Sequence, residues 1–141
     1  MIGYFDSSAL VKLVVEEPGS GQAGALWNGA DAVLSSRVAH AEVRAAMAAA
    51  RRAGRLTTSQ LGDAKDAWAT VWDSLRVVEV SVDVGALAGE LAEEHALSGF
   101  DAIHLASAAQ LAVDGVVVAT WDTRLHAGAR ELDLATLPAT L

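Results

Sequence analysis

Residues 2–8 read Ile2-Gly3-Tyr4-Phe5-Asp6-Ser7-Ser8, a short apolar run that stops at an acid followed by two hydroxyls. Ile2 to Phe5 is typical of a buried strand, and the polar residues after it are typical of a cap that begins a helix. A strand that passes directly into a helix is the repeating unit of α/β proteins, whose strands are mostly parallel. The start of the chain therefore predicts the α/β class.

The same alternation continues along the chain. Further strands are predicted at Ala32 to Leu34, Val77 to Val80 and Val116 to Ala119, with an edge strand at Leu134 to Leu137 as a fifth. Helices are predicted from Asp6-Ser7-Ser8 through Glu17, over Gly21 to Asn28, from a cap at Ser35 or Ser36 through Ala53, from Thr57 or Thr58 to Ser74, over Ser81 to His95, over Asp101 to Val113 before a turn at Asp114-Gly115, and from a cap at Asp122 or Thr123 to Glu131. The expected architecture is a central parallel sheet of four to five strands with helices on both faces and right-handed crossovers.

Length and composition favour a single domain over residues 1–141. The chain is 52% hydrophobic, which is enough for a real core, and it has no cysteine for disulfides or thiolate zinc sites. The first acid comes at position 6, too early for a signal peptide, and no apolar run reaches the roughly 18 to 20 residues of a membrane span. We expect a soluble, cytoplasmic protein that does not enter membranes.

The net charge of −8 argues against a general grip on nucleic acid phosphates. Two features weaken this objection to a nuclease. Bound divalent cations reverse the sign of a carboxylate cluster locally. The basic residues are also unevenly spread, since five of the ten lie between Arg37 and Arg55.

Four acids occupy the positions where an α/β sheet binds its ligands, outside the carboxyl ends of the strands. Asp6 follows the first strand and Asp122 lies just beyond the fourth, while Asp101 opens a helix and Glu42 sits early in the helix after the second strand. We expect all four to face one edge. The alternative for each Asp is a structural helix cap, since Asp is favoured there for its hydrogen bond and charge.

Glu42 fits a structural role least well. The positions three and four residues away, where a basic partner would stand, are Val38, Ala39, Ala45 and Ala46. At about 100° per residue, Glu42 points about 140° from the stripe of arginines on the same helix, toward the side that packs on the sheet. A carboxylate aimed at the interior requires a cation or hydrogen bonds.

Asp101 stands at the head of a strongly apolar helix, so it too is expected near the core. His104 shares its face, but a lone histidine is more often a packed or supporting residue than a ligand, and we leave it outside the site. Clustered carboxylates raise one another's pKa values unless a cation lies among them. Oxygen donors without cysteine select Mg²⁺ or Mn²⁺, whose natural chemistry is phosphodiester hydrolysis by an activated water, leaving a 5′-phosphate and a 3′-OH.

Four segments of the sequence resemble the PIN-domain ribonucleases, and within them the VapC toxins of bacterial toxin–antitoxin pairs. These segments are Tyr4 to Lys12, the helix containing Ala41-Glu42, Phe100 to Ala108 and Thr120 to Leu125. The resemblance implies a three-layer PIN-like sandwich and a Mg²⁺- or Mn²⁺-dependent endoribonuclease. Its acidic set would be Asp6, Glu42, Asp101 and Asp122, with Thr120 and the hydroxyl of Ser7 or Ser8 as supporting polar groups. It further implies transfer or ribosomal RNA as substrate, a homodimer, and an inhibitory antitoxin that inserts a segment into the active-site groove.

Two surface features have a functional and a structural interpretation. Arg37, Arg44, Arg51 and Arg55 form a stripe that would contact RNA or the antitoxin, or would simply be a solvated helix face. Trp68 and Trp72, at helical spacing, are interpreted as core or dimer-interface residues rather than platforms for base stacking.

Two rival functions remain as alternatives. An aspartate-based phosphatase or phosphotransfer domain also places an Asp after the first strand. The haloacid-dehalogenase type requires a second Asp two residues later, where this sequence has Ser8, and the lack of a G-x-x-x-x-G-K loop argues against nucleotide hydrolysis. The other rival is a non-catalytic α/β binding module in which the acids only cap helices, and dependence on a divalent metal distinguishes it from the nuclease.

Overall fold

A computed structural model describes residues 1–112 and 115–141, which form five strands and seven helices. The strands are β1 (Ile2–Phe5), β2 (Ala32–Ser36), β3 (Arg76–Val78), β4 (Val116–Ala119) and β5 (Ala135–Leu137). The helices are α1 (Ser7–Val14), α2 (Ser20–Gly29), α3 (Ala39–Arg52), α4 (Thr58–Ser74), α5 (Val82–His95), α6 (Gly99–Ala109) and α7 (Thr123–Glu131). Over these ranges no helix combines the length and apolarity that crossing a membrane requires.

The five strands form one sheet in the order β3-β2-β1-β4-β5, and every neighbouring pair is parallel. β1 lies at the centre, with Tyr4 paired to Leu34 of β2 on one side and Phe5 paired to Ala119 of β4 on the other. All the strands therefore end at the same edge of the sheet. The residues that follow β1 and β4 are placed side by side at that edge.

Helices cover both faces of the sheet. Tyr4 and Phe5 are both fully buried but point to opposite faces, as successive strand residues must. Tyr4 packs in a core with α5, α6 and α7, whereas Phe5 packs in a second core with α1, α3 and α4. This arrangement is a three-layer sandwich with a five-stranded parallel sheet, and it confirms the predicted fold class.

Several predicted boundaries were wrong. Ser35 and Ser36 do not cap α3, because both belong to β2, and α3 begins at Ala39 after Val38 without a side-chain cap. Both hydroxyls are used otherwise, since Ser35 Oγ donates to the Phe5 carbonyl at 2.6 Å and Ser36 Oγ accepts from Val38 N at 3.3 Å.

The other differences concern the ends of strands and helices. β3 ends at Val78 and not at the predicted Val80. α1 stops at Val14, short of the predicted Glu17, and α6 begins at Gly99, because Ser98 rather than Asp101 caps it. The predicted helix end at Val113 and the Asp114 position of the predicted turn lie outside the described residues.

Candidate functional site

Asp6 lies at the centre of the carboxyl edge of the sheet. It follows β1 directly, and its backbone N–H donates to the Ala119 carbonyl at the end of β4 at 3.1 Å. The same residue is the N-cap of α1, so the strand-to-helix transition holds its side chain in place. Only 2% of Asp6 is exposed to solvent, which makes it a buried charge on an edge where the adjoining helices begin.

Both carboxylate oxygens of Asp6 accept hydrogen bonds. Oδ1 accepts from Ser8 Oγ at 2.6 Å and from Ala9 N at 2.9 Å, and Oδ2 accepts from Thr120 Oγ1 at 2.5 Å. Burial raises the pKa of Asp6 above the usual Asp value, while His104 and these hydrogen bonds act to lower it. The carboxylate is therefore held in one orientation, at an electrostatic cost that the hydrogen bonds only partly offset.

The two hydroxyls that hold Asp6 also connect it to the loop after β4. Ser8 Oγ accepts from Trp121 N at 2.9 Å, and Thr120 Oγ1 accepts from Asp122 N at 3.1 Å. Of the two serines in the prediction, Ser8 makes the contact to Asp6, while Ser7 is the first residue of α1 and is partly exposed. Asp6 and Asp122 are thus joined through the hydroxyl of Thr120, and Ser8 joins Asp6 to Trp121.

Glu42 reaches the same edge from the first turn of α3. Its Oε1 lies 2.6 Å from His104 Nε2, in α6, and its side chain is 21% exposed. The other ring nitrogen, Nδ1 of His104, lies 2.8 Å from the hydroxyl of Tyr4, and the two rings meet edge to face. Burial raises the pKa of Tyr4 above the usual range, so its phenol stays protonated. A single imidazole therefore joins Glu42 to β1 and α6.

Asp101 and Asp122 complete the acidic edge. Asp101 lies in the first turn of α6, and Asp122 caps α7 through Oδ1, which accepts from Leu125 N at 2.9 Å. Partial burial raises the pKa of Asp101, the negative charges of Asp122 and Glu42 raise it further, and Ser98 and His104 oppose the shift. Asp101 lies near enough to Asp122 and Glu42 for their charges to interact, and His104 lies beside Asp6, Glu42 and Asp101.

The four acids suit a divalent cation by donor type and by charge. All of their ligand atoms are carboxylate oxygens, which Mg²⁺ and Mn²⁺ prefer. The carboxylates also repel one another, and a bound cation would relieve that repulsion by neutralising their negative charge. As placed here, no three carboxylates or histidines of residues 1–112 and 115–141 are grouped closely enough to hold a metal ion.

The four arginines of the predicted stripe differ in the contacts that they make. Arg37 forms an ion pair with Glu79 and stacks over the Trp72 ring, with its guanidinium carbon 5.7 Å from the ring centroid. Arg51 Nε donates to Thr58 Oγ1 at 3.2 Å, while Arg44 and Arg55 are exposed. Arg37 is exposed but is paired with Glu79, whereas Arg44, Arg51 and Arg55 place their positive charges along α3 and just beyond it.

The two tryptophans of α4 belong mainly to the core. Trp68 is 1% exposed and its Nε1 donates to His40 Nδ1 at 3.3 Å, while Trp72 is partly buried beside it with ring centroids 5.5 Å apart. This placement agrees with the interpretation of Trp68 as a core residue. It leaves Trp68 no exposed face for stacking on bases.

Sequence reasoning left two residues of this edge outside the site, Tyr4 and His104. Tyr4 is two residues before Asp6, and on a strand that spacing places both side chains on the same face. His104 is three residues after Asp101, which places it on the same helix face. These spacings signal that both residues lie near the acids, although neither reveals the contact with Glu42.

The chain matches one protein family over most of its length and is similar to known proteins in sequence and in structure. The family model described as PIN domain matches residues 3–131. The chain is 53% identical to Ribonuclease VapC45 of Mycobacterium tuberculosis over 98% of this chain and 96% of that protein. Among solved structures, PAE2754 from Pyrobaculum aerophilum superposes with a TM-score of 0.69 at 21% identity, covering 98% of this chain and 85% of that one. A toxin–antitoxin complex from Klebsiella pneumoniae superposes with a TM-score of 0.62 at 24% identity, covering 89% and 91% of the two chains.

Proposed function

This chain belongs to the PIN domain family, and on that premise we propose that it is a Mg²⁺- or Mn²⁺-dependent endoribonuclease. The relative with 53% identity is a ribonuclease, which supports the reaction class. The acidic edge supports the metal dependence. The observation that carries the proposal is that the four acids, at or near the starts of four different helices, are linked at the carboxyl edge of the sheet through His104, Thr120 and the charges around Asp101.

Asp6, Glu42, Asp101 and Asp122 are the residues that would hold the cation. A bound Mg²⁺ or Mn²⁺ would supply the charge that makes a water nucleophilic and stabilises the in-line displacement at phosphorus. The chain's own contribution is orientation. Ser8 and Thr120 fix the two oxygens of Asp6, and Thr120 also holds the backbone of Asp122.

The geometry favours this function over an aspartyl phosphatase. An aspartyl phosphatase of the haloacid-dehalogenase type has a second Asp two residues after the nucleophile, whereas this chain has Ser8 there, and the Ser8 hydroxyl donates to Asp6 Oδ1. It also favours the enzyme over a binding module. A helix cap requires only one accepting oxygen and does not require a buried charge. In Asp6 the second oxygen also accepts a hydrogen bond, and the carboxylate is buried.

The biological role that we propose is that of a toxin in a cytoplasmic toxin–antitoxin pair, acting as a homodimer on transfer or ribosomal RNA. A similar solved structure is a toxin–antitoxin complex, which supports an antitoxin partner. A groove of about 750 Å³ lies between α1, α3 and α4, with Ser8 and Arg55 among its lining residues. We place an antitoxin segment there, and RNA or antitoxin contacts on the stripe formed by Arg37, Arg44, Arg51 and Arg55.

An RNA cleavage assay tests the reaction. Purified protein should cleave structured RNA with Mg²⁺ or Mn²⁺, stop when a chelator is added, and resume when the metal is restored. The new ends should be 5′-phosphate and 3′-OH, because the attacking group is water and not the 2′-hydroxyl of the substrate. Asp6→Ala should be inactive. Cyclic phosphate products, or cleavage that persists in the chelator, would contradict the proposal.

A further inference from the structure

We propose that His104 is a positioning residue of this site, which engages one oxygen of Glu42 and so presents the other oxygen to the cation. The proposal rests on the proposed function, since it concerns how a residue of the acidic set is oriented. It assigns His104 no direct contact with metal or RNA.

The contact with Glu42 has a defined donor. A carboxylate only accepts hydrogen bonds, so at 2.6 Å the proton lies on His104 Nε2 and points at Glu42 Oε1. His104 is 1% exposed while the side chain of Glu42 is 21% exposed. The histidine is thus the buried partner of this hydrogen bond, and Glu42 is the partner with access to solvent.

The other side of the ring is also held. Tyr4, which is fully buried in β1, places its hydroxyl 2.8 Å from His104 Nδ1. With both nitrogens engaged, the imidazole cannot turn without breaking a buried hydrogen bond. Tyr4 therefore fixes the ring, and the ring fixes the orientation of Glu42.

Glu42 requires such a partner because its own helix provides none. The residues three and four positions away in α3 are valine and alanine, so no neighbour along the helix restrains this flexible side chain. His104 comes from the opposite helix layer: α3 packs in the core of Phe5, and α6 packs in the core of Tyr4. The contact joins the two layers at the acidic edge, where an orientation set in advance improves cation binding.

A double-mutant cycle on Mn²⁺ affinity, measured by calorimetry, tests this role. We expect His104→Leu to weaken Mn²⁺ binding by about tenfold to a hundredfold. We expect His104→Gln, which retains an N–H donor near the position of Nε2, to recover most of that loss. In a Glu42→Ala background, His104→Leu should change the affinity by less than about twofold, because the residue it positions is gone.

A purely structural role gives a different result in the cycle. Equal losses from His104→Leu with and without Glu42, while wild type binds Mn²⁺ normally, would overturn the positioning role alone. Failure of wild type to bind Mn²⁺ would instead overturn the proposed function.

A metal-independent measurement covers the case in which His104→Leu does not fold. In ¹⁵N NMR spectra of the apo protein, Glu42→Ala should shift the Nε2 resonance of His104, and Tyr4→Phe should shift the Nδ1 resonance. Unchanged resonances in both folded variants would show that the contacts do not form, and would overturn the proposal.

Discussion

The helices α1 and α4 are capped at their N-termini in different ways. Both helices begin after a residue whose side chain accepts a backbone N–H of the first turn: Asp6 from Ala9 at 2.9 Å, and Thr57 from Gln60 at 3.1 Å. At α4 the Gln60 side chain accepts in return from Thr57 N at 2.8 Å, which completes a capping box. Thr57 is neutral and exposed, whereas Asp6 is an acid that is 2% exposed.

The difference shows what capping alone requires. A neutral hydroxyl at the surface satisfies the start of the longer helix, so the burial of a carboxylate at α1 has another cause. The hydrogen bonds from Ser8 and Thr120 fix the orientation of that carboxylate, and its pKa is raised by burial. Shifted acids of this kind are concentrated at functional sites.

The largest expected effect is a difference in RNA cleavage between variants of the two capping residues. Asp6→Asn keeps an accepting oxygen for Ala9 but removes the charge, and we expect RNA cleavage to fall by about a thousandfold. Thr57→Ala removes a cap of the ordinary kind and should leave the initial cleavage rate within about twofold of wild type. Equal rates for wild type and Asp6→Asn would show that Asp6 is only a cap.

The stabilisation of the folded protein by Mn²⁺ should depend on Asp6 and not on Thr57. At a Mn²⁺ concentration about a hundred times its Kd, we expect the unfolding free energy of wild type and of Thr57→Ala to rise by about 2.7 kcal/mol. For Asp6→Asn, urea unfolding with and without Mn²⁺ should give nearly the same curve. A comparable gain in this variant would mean that the cation binds elsewhere.

The two serines after Asp6 allow a finer comparison. Ser8→Ala removes the hydroxyl that bridges Asp6 Oδ1 and Trp121 N, and should lower the cleavage rate by about tenfold. Ser7→Ala is the matched control one residue away and should have little effect on cleavage. Equal losses in the two variants would remove the positioning role that we assign to Ser8.

The smallest effect concerns stability without metal, measured by urea unfolding in a chelator at several pH values. The pKa of Asp6 is higher in the folded than in the unfolded chain. Its favourable contribution to the free energy of unfolding is therefore fully present below the pKa of the unfolded chain, and it is lost as the pH rises through the pKa of the folded chain. Asp6→Asn should therefore be more stable than wild type at neutral pH, with the gain shrinking in acid. Thr57→Ala should lose about 1 kcal/mol at every pH. An Asp6→Asn gain that does not change with pH would contradict the assigned cause.

Much of the fold follows from local patterns. The run Ile2–Phe5 and the acid after it predict a strand and a cap without reference to any other residue, and both are correct. The expectation that Asp6 and Asp122 share one edge needs only the rule that parallel strands end together. The structure agrees, since Thr120 contacts both residues.

The features that sequence reasoning missed depend on partners far along the chain. His104 meets Glu42 across 62 positions and Tyr4 across 100, and no helical or strand period relates them. Arg37 was grouped with the other arginines by spacing, although its ion pair is with Glu79, 42 positions away. Ser35 resembles a cap by type, but its hydroxyl donates to a carbonyl of the neighbouring strand.

The most direct test of the central claim is a calorimetric titration of Mn²⁺ into wild type, Asp101→Asn and Asp83→Asn. Asp101 and Asp83 are both acids in the first turn of a serine-capped helix, α6 and α5 respectively, but Asp101 belongs to the set of four acids, two of which, Asp122 and Glu42, act on its charge, and Asp83 does not belong to that set. We predict that Asp83→Asn binds Mn²⁺ like wild type and that Asp101→Asn binds at least about tenfold more weakly. Equal affinities for the two variants would contradict a cation site built from these acids.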